Sequence, residues 1–430
     1  MVTASRRLVA RTRVLAPDDP RHHRPLPDLL PDDAVVSWVR DGEGLVGWGT
    51  AARFETTGPD RFAECDAWWH RLCGRMDVDD PVGLPGCGPL AFASVAFTAE
   101  PGRSVLVVPE VVIGQRNGVR WVTTIGEGTA EHREPEPVRH PGTVRYSDGQ
   151  LSATGYRQAV AEAVRRMRPD GIRKVVLAHD LLATTSEPLD ERFLLVNLAA
   201  RYPNCWTFAV DGLVGATPEL LLERIGQEVR SRVLAGTAWP RPGHPAERLA
   251  AELMSSAKNR YEHAYATESL AERLQPFCSE LVLPDEPEVL RLRNVVHLAT
   301  NVWGKLNETS AGNGKASLLR LADAVHPTAA VGGTPTDQAV RMIDELEGMD
   351  RGRYTGPVGW IDGSGNGEFG LALRCAQVEP TAAPDDADGR GGRARLFAGC
   401  GIVSDSDPDL EVAEAAAKFL PVREALEGLR

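Results

Sequence analysis

Apolar and polar positions follow two rhythms along this chain, and the change comes near residue 150. Before it, short apolar runs such as LAFASVAF (90–97) and SVLVVPEVVIG (104–114) stand between Pro- and Gly-rich stretches. Runs of that length bounded by turn residues predict antiparallel strands. CDAWWHRLCGRM (65–76) predicts a short helix. After residue 150 helical spacing appears: Tyr156, Val160, Val164 and Met167 recur three or four apart, and Gly171 is the stop. KVVLAHDLLATT (174–185) predicts a strand, LDERFLLVNLAARYPN (189–204) a helix, and the segment 205–236 a strand meander. Residues 246–278 predict one long helix or two in tandem, and VLRLRNVVHLATNVWGKL (289–306) a strand. TDQAVRMIDELEG (336–348) is helical, GPVGWID and EFGLALRCAQV pair as a hairpin, and RLFAGCGIV (395–403) is a strand. The last helix begins near Ser406 or Asp407, with Pro408 in its first turn. The polar stretch 379–394 reads as a mobile loop.

This alternation, mostly strand to strand, gives an α+β class with large antiparallel sheets. Residues 1–150 are expected to be a strand-rich part of the same large domain, and 151–430 the catalytic region. One stretch fits neither rhythm. HPTAAVGGTP (326–335) is too irregular for a helix or strand, yet apolar segments flank it, so it is expected to cross the interior.

Composition narrows the function. A net charge of −12 argues against nucleic-acid binding, which needs a basic face. Any anionic substrate must then be held by local cations or a metal. No apolar run reaches membrane-spanning length, and the N-terminus lacks the apolar core of a signal peptide. Seven cysteines without CxxC spacing suggest reduced thiols, so the cytoplasm is the expected compartment. The sequence does not bear on oligomeric state, and a monomer is the default. Only five of the 48 basic residues are lysines: Lys174, Lys258, Lys305, Lys315 and Lys418. In an arginine-rich chain a retained lysine can mark a group that must lose its proton.

Two phosphate-loop patterns fail. GNGEFG (365–370) matches GxGxxG, but a strand follows it, not a helix. GNGKAS resembles the tail of a P-loop, but the first glycine of that motif would fall on Thr309.

Several side chains are candidates for chemistry, each with a bland alternative. Glu411 and Glu414 share a face at the start of the last helix, and Glu262 lies on an earlier helix. Such oxygen donors suit Mg²⁺, but solvated surface glutamates have the same spacing. Lys174 opens an apolar strand, as a base or as a snorkelling edge lysine. Glu219, between a Gly/Pro turn and an apolar run, is a proton donor with a raised pKa or a loop charge. Arg374 interrupts an apolar strand, where it can face an anion.

The order of these residues carries more than any one of them. The blocks KVVLA, GATPELLL, LAGT, SSAKNRYEH, VVHLATNVWGKL, HPTAAVGGTP, DRGRYTGPVGWID, GEFGLALRCA, AGCGIVSDSDP and EVAEAAAKF resemble the isochorismate synthases of the chorismate-utilising enzyme family. Anthranilate, aminodeoxychorismate and salicylate synthases are its other members. The resemblance covers about 150–425 and implies a sandwich of large sheets with helices outside. It implies Lys174 as the base that activates water and Glu219 as the acid that protonates the departing hydroxyl. It implies Mg²⁺ on Glu262 and Glu414 with Glu411 beside it. Arg374 and Tyr354 would hold the enolpyruvyl carboxylate, Gly399 and Gly401 would offer backbone donors, and Gly236, Thr237 and His297 would line the site. The chain departs from the family pattern at His179, Asn259, Ala329 and Ala415. Asn259 and Ala415 are expected to flank the metal.

In the ammonia-using synthases the segment matching HPTAAVGGTP has another form, and salicylate synthases carry Thr where this chain has Ala330. The segment is therefore expected to select the product at Ala330. The implied activity is conversion of chorismate to isochorismate, feeding menaquinone or siderophore synthesis. A salicylate synthase, which goes on to eliminate pyruvate, and a non-catalytic chorismate-binding subunit are the alternatives.

Overall fold

The computed structural model describes residues 8–32, 34–126, 135–238, 246–293, 295–307, 316–379 and 391–429. Among them, strands assemble into one sheet of thirteen and one of ten, α+β in class as expected. The ladders are antiparallel, save the edge pair Val9–Val14 with Asp77–Asp79. The two sheets pack face to face. Val36, Trp38 and Phe208 of the larger sheet share a buried cluster with Phe92, Val358 and Trp360 of the smaller. Trp38 Nε1 also crosses between the sheets to donate to Glu368 Oε2 at 2.9 Å. That carboxylate accepts from Trp206 Nε1 at 3.2 Å and Arg116 Nη2 at 2.6 Å, so its burial is compensated.

Strands from before residue 150 continue both sheets. Val36–Arg40 pairs with Trp206–Val210 in the larger sheet, and Leu90–Ser94 pairs with Pro357–Asp362 in the smaller. Helices cover the outside. Ala153–Asp170 and Pro408–Leu426 pack together over the larger sheet, and Ala257–Leu274 packs on the smaller.

Local chemistry sets the element ends. Ser152 accepts from Gly155 N to start its helix, and Gly171 ends it at φ 69°. Ser256 breaks the segment 246–278 into Ala246–Ser255 and Ala257–Leu274, capping the second by accepting from Asn259 N. Asp407, not Ser406, caps the last helix, taking the N–H groups of Asp409 and Leu410.

Three expected strands prove to be pairs. VLRLRNVVHLATNVWGKL is a hairpin of Glu288–Leu292 and Val295–Leu306. SVLVVPEVVIG divides at Pro109, with Ser104–Val108 in the smaller sheet and Val111–Arg116 in the larger, because proline cannot donate to a ladder. EFGLALRCAQV likewise passes from the smaller sheet (Gly367–Leu371) to the larger (Cys375–Val378), so Arg374 lies in the crossing, not within a strand. The expected loop 379–394 falls mostly on residues 380–390, outside the described residues. Arg393 and Ala394 at its end already pair with Thr184 and Ala183. HPTAAVGGTP is largely buried, and its end forms a two-residue strand: Gly333 and Thr334 pair with Val175 and Lys174.

Candidate active site

The site forms where a two-stranded ribbon changes sheets. Leu213–Thr217 leaves the larger sheet at Pro218 and Glu219, and the chain joins the smaller sheet as Leu220–Ile225. Its neighbour makes the reverse passage through Ala372, Leu373 and Arg374. The crossings are joined by Leu371 N to Glu219 O at 3.3 Å and Ala216 N to Arg374 O at 3.2 Å. A third segment closes the seam, with Thr355 N donating to Ala372 O at 2.9 Å. Arg374 and Thr355 both hold left-handed backbone, at φ 48° and 61°. That is costly for a non-glycine residue, and most of all for a β-branched one.

A cavity of about 330 Å³ opens at this seam. Lys174, Glu219, Gly236, Thr237, Glu262, His297, Ala330, Tyr354, Arg374, Gly399, Gly401, Glu411 and Glu414 all line it. The expected site residues, scattered over 240 positions of sequence, are thus brought together on one surface.

Each wall has a local cause. Lys174 begins the strand Lys174–Thr185 and ion-pairs with Glu262 in the second turn of Ala257–Leu274, Nζ to Oε1 at 2.9 Å. Gly401 packs against that pair; a Cβ there would stand 2.7 Å from Lys174 Cε and 3.2 Å from Glu262 Oε1. Gly236 sits at φ 76° in a bulge of Glu228–Ala238, where the register against Val295–Leu306 slips by one. The bulge pairs Thr237 with His297. Tyr354 stacks on Phe397, ring centroids 5.0 Å apart.

Glu219 is buried, and loss of solvent pushes its carboxyl up to about 8 against opposing pulls from Leu234 N–H, Lys174 and Arg374. It is therefore a protonated acid at neutral pH. His297 is held well below its ordinary value by burial, Arg374 and Lys418. Its Nε2 lies 3.1 Å from Arg374 Nη2 and its Nδ1 3.2 Å from Thr237 Oγ1. A guanidinium only donates, so Nε2 accepts and the ring proton is on Nδ1. Arg374 Nη1 is buried with no hydrogen-bond partner among the described residues, a donor left for an anion.

Two of the three expected carboxylates, Glu411 and Glu414, come together as a hard cation would need, while Glu262 lies outside that cluster with its carboxylate on Lys174. Cys400 Sγ and oxygens of Glu411 and Glu414 lie within 4.8 Å of one another. Burial pushes the Cys400 thiol up, which leaves a neutral sulfur and makes the carboxylate oxygens the donors. Glu414 also ion-pairs with Lys418 at 2.8 Å. Lys418 donates to Gly399 O at 2.8 Å and lines the cavity, a role the sequence reading did not give it. The available signals were its rarity and its position four residues after Glu414. Thr355, Phe397 and Pro218 were also missed as lining residues.

Of the departures from the family pattern, Asn259 lines the cavity, its Nδ2 donating to Ser256 Oγ at 3.0 Å. His179 lies elsewhere, stacked on Tyr156 at 4.7 Å and edge-on to Phe419 at 5.1 Å. Ala415 is packed into the core. Ala329 is fully buried behind the lining residue Ala330.

Residues 36–427 match the family described as "Chorismate binding enzyme". The chain belongs to that family. The match begins well before residue 150, in the strand Val36–Arg40 that joins the larger sheet. The chain is 36% identical over 351 residues to isochorismate synthase DhbC of Bacillus subtilis, covering 79% of this chain and 81% of the relative. It is 33% identical over 426 residues to the salicylate biosynthesis isochorismate synthase of Pseudomonas aeruginosa, covering 91% and 84%. Among solved structures, a putative 2,3-dihydroxybenzoate-specific isochorismate synthase, DhbC from Bacillus anthracis, superposes with a TM-score of 0.74. It is 29% identical, with 94% of this chain and 99% of that one covered. Family membership thus agrees with the two-sheet fold and with the anion-adapted, acid-bearing cavity. Among the described residues no helix is long and apolar enough to cross a membrane.

Proposed function

We propose that the protein is an isochorismate synthase that adds water at C2 of chorismate as the C4 hydroxyl departs. The observation that carries the reading is that one cavity brings together Lys174, the buried carboxyl of Glu219 and the buried, unpartnered Nη1 of Arg374. Lys174, which must first give up the proton it holds in its ion pair with Glu262, takes one from the attacking water, and Glu219 gives one to the leaving hydroxyl, which departs as water. Atoms balance, and the product is an isomer of the substrate. Arg374, with its unpartnered Nη1, and Tyr354 receive the enolpyruvyl carboxylate, while backbone groups at Gly399 and Gly401 orient the ring. His297 stays neutral and adds no charge to the site. Glu262, Glu411 and Glu414 would hold a Mg²⁺ ion, which supplies positive charge against the second substrate carboxylate. An acidic chain can bind a dianion in this way.

The test is incubation with chorismate and Mg²⁺, followed by chromatography, with lactate dehydrogenase and NADH reporting pyruvate. Isochorismate without pyruvate is the expected result. Stoichiometric pyruvate and salicylate would overturn the product assignment, and no turnover would favour a non-catalytic chorismate-binding protein.

A further inference from the structure

Among the described residues, the strand that begins with Lys174 has no strand partner on one edge between two short neighbours. Gly333–Thr334 pairs with its start, where Val176 N also donates to Gly332 O at 2.9 Å, and Val144–Asp148 pairs only from Leu181 onward. Two buried side chains fill the gap. Glu347, at the end of the helix Thr336–Glu347, accepts from Ala178 N at 2.7 Å. Arg351 donates to Val176 O from Nη2 at 2.6 Å. The two side chains pair with each other, with Arg351 Nε to Glu347 Oε2 at 2.9 Å, and both are almost fully buried. Carboxylate and guanidinium thus stand in for the acceptor and donor of a missing strand.

Arg351 also reaches beyond this edge. Its Nη1 donates to Val331 O at 3.2 Å and to Thr355 Oγ1 at 3.4 Å. Val176, Val331 and Thr355 all line the cavity. One planar, forked cation therefore ties the Lys174 strand, the Ala330–Val331 wall and the Tyr354–Thr355 turn together. A lysine ammonium cannot span all of these directions.

We propose that the Glu347–Arg351 pair is a positioning device for the reaction, fixing the distance from the Lys174 strand to the Ala330–Val331 wall. The inference rests on the isochorismate synthase reading above. The pair touches the backbone of Val176, Ala178 and Val331 and the hydroxyl of Thr355, and leaves Arg374, the anion donor, untouched. Loosening it moves the reacting groups apart in the transition state more than it weakens substrate binding, and misplacement of about 1 Å can cost on the order of 10²-fold in rate.

The experiment compares wild type, Arg351→Lys and the double variant Glu347→Leu/Arg351→Met, all with chorismate and Mg²⁺. The double variant removes both charges, so neither is left buried alone. Thermal melting and circular dichroism establish that each is folded at the assay temperature. Expected for the double variant is a kcat lower by about tenfold or more, with KM within about threefold of wild type. Arg351→Lys should recover part of kcat. Wild-type kcat and KM in a folded double variant overturn the proposal. If the double variant does not fold, Arg351→Lys decides: lowered kcat at unchanged KM supports it, and wild-type kinetics overturn it. A wild-type enzyme that makes no isochorismate sinks the underlying function instead, and is seen in the control arm before any variant is compared.

Discussion

Lys174 Nζ and Glu262 Oε1 form an ion pair of 2.9 Å inside the candidate site, joining the proposed base to a proposed metal ligand. Glu262 would serve two groups, since it holds Lys174 in the structure and would be one of the carboxylates offered to a cation.

Lys174→Ala should therefore lose about 10²-fold or more in kcat, the scale of a lost general base. Lys174→Arg should fail equally, because a guanidinium keeps its proton near neutrality. Steady-state kinetics with chorismate, alongside circular dichroism, check both. Near-normal turnover in Lys174→Ala removes Lys174 from the mechanism.

Glu219 makes a prediction about pH. Its carboxyl sits near 8 in the folded protein, against an ordinary 4.5. The acid must be protonated to act, so its limb of the rate profile stays flat below about 8 and falls as pH rises through it. The same shift acts on stability. Between the two values the native state binds a proton that the unfolded chain has lost, so stability declines as pH rises through that window. Glu219→Gln should abolish most turnover and melt higher than wild type, with the gap widening from pH 5 toward about 8. A gap independent of pH would contradict the buried, protonated acid.

Much of the site was legible because ordered blocks around Lys174, Glu219, Glu262, Arg374 and Glu414 carry a family resemblance, and all five residues meet at one cavity. The crossings were not legible. EFGLALRCAQV has the same apolar character whether a strand continues or changes sheets, and only its partners across the seam decide. The same holds for Glu347 and Arg351, an i,i+4 pair that reads as surface charge until the Lys174 strand is seen to lack a neighbour. Lys418 was hidden likewise by its spacing from Glu414, which suits any exposed helix.

Gly401 separates site from fold. A methyl group there would press on Lys174 and Glu262, both side chains of the cavity, without meeting core backbone among its nearest atoms. Gly401→Ala should cut turnover by about tenfold or more while shifting the melting temperature by only a few degrees. A large loss of stability with normal activity of the folded fraction would contradict this view of the pocket.

The three glutamates predict metal dependence. Excess EDTA should abolish turnover and added Mg²⁺ restore it. Glu414→Gln should raise the Mg²⁺ concentration needed for half-maximal rate, since it weakens one oxygen donor and leaves Lys418 without its carboxylate partner. Full activity in excess chelator ends the metal assignment.

Product choice is argued from Ala330. It lines the cavity beside Val331, whose carbonyl Arg351 holds. Isochorismate and salicylate synthases share their first step and differ in whether isochorismate then sheds pyruvate. That elimination moves the C2 hydrogen to the enolpyruvyl methylene, so the side chain must be held in one reactive pose. A branched hydroxyl residue at 330 can enforce such a pose by contact and hydrogen bond, and a methyl group supplies neither. Wild type should thus deliver isochorismate in a mixture with chorismate, because the isomers are close in energy. Ala330→Thr should raise the pyruvate released per isochorismate formed, by about tenfold if pose alone limits the second step. Chromatography with the coupled lactate dehydrogenase assay reads both quantities. An unchanged ratio in a folded Ala330→Thr enzyme would reduce Ala330 to a wall residue of suitable size.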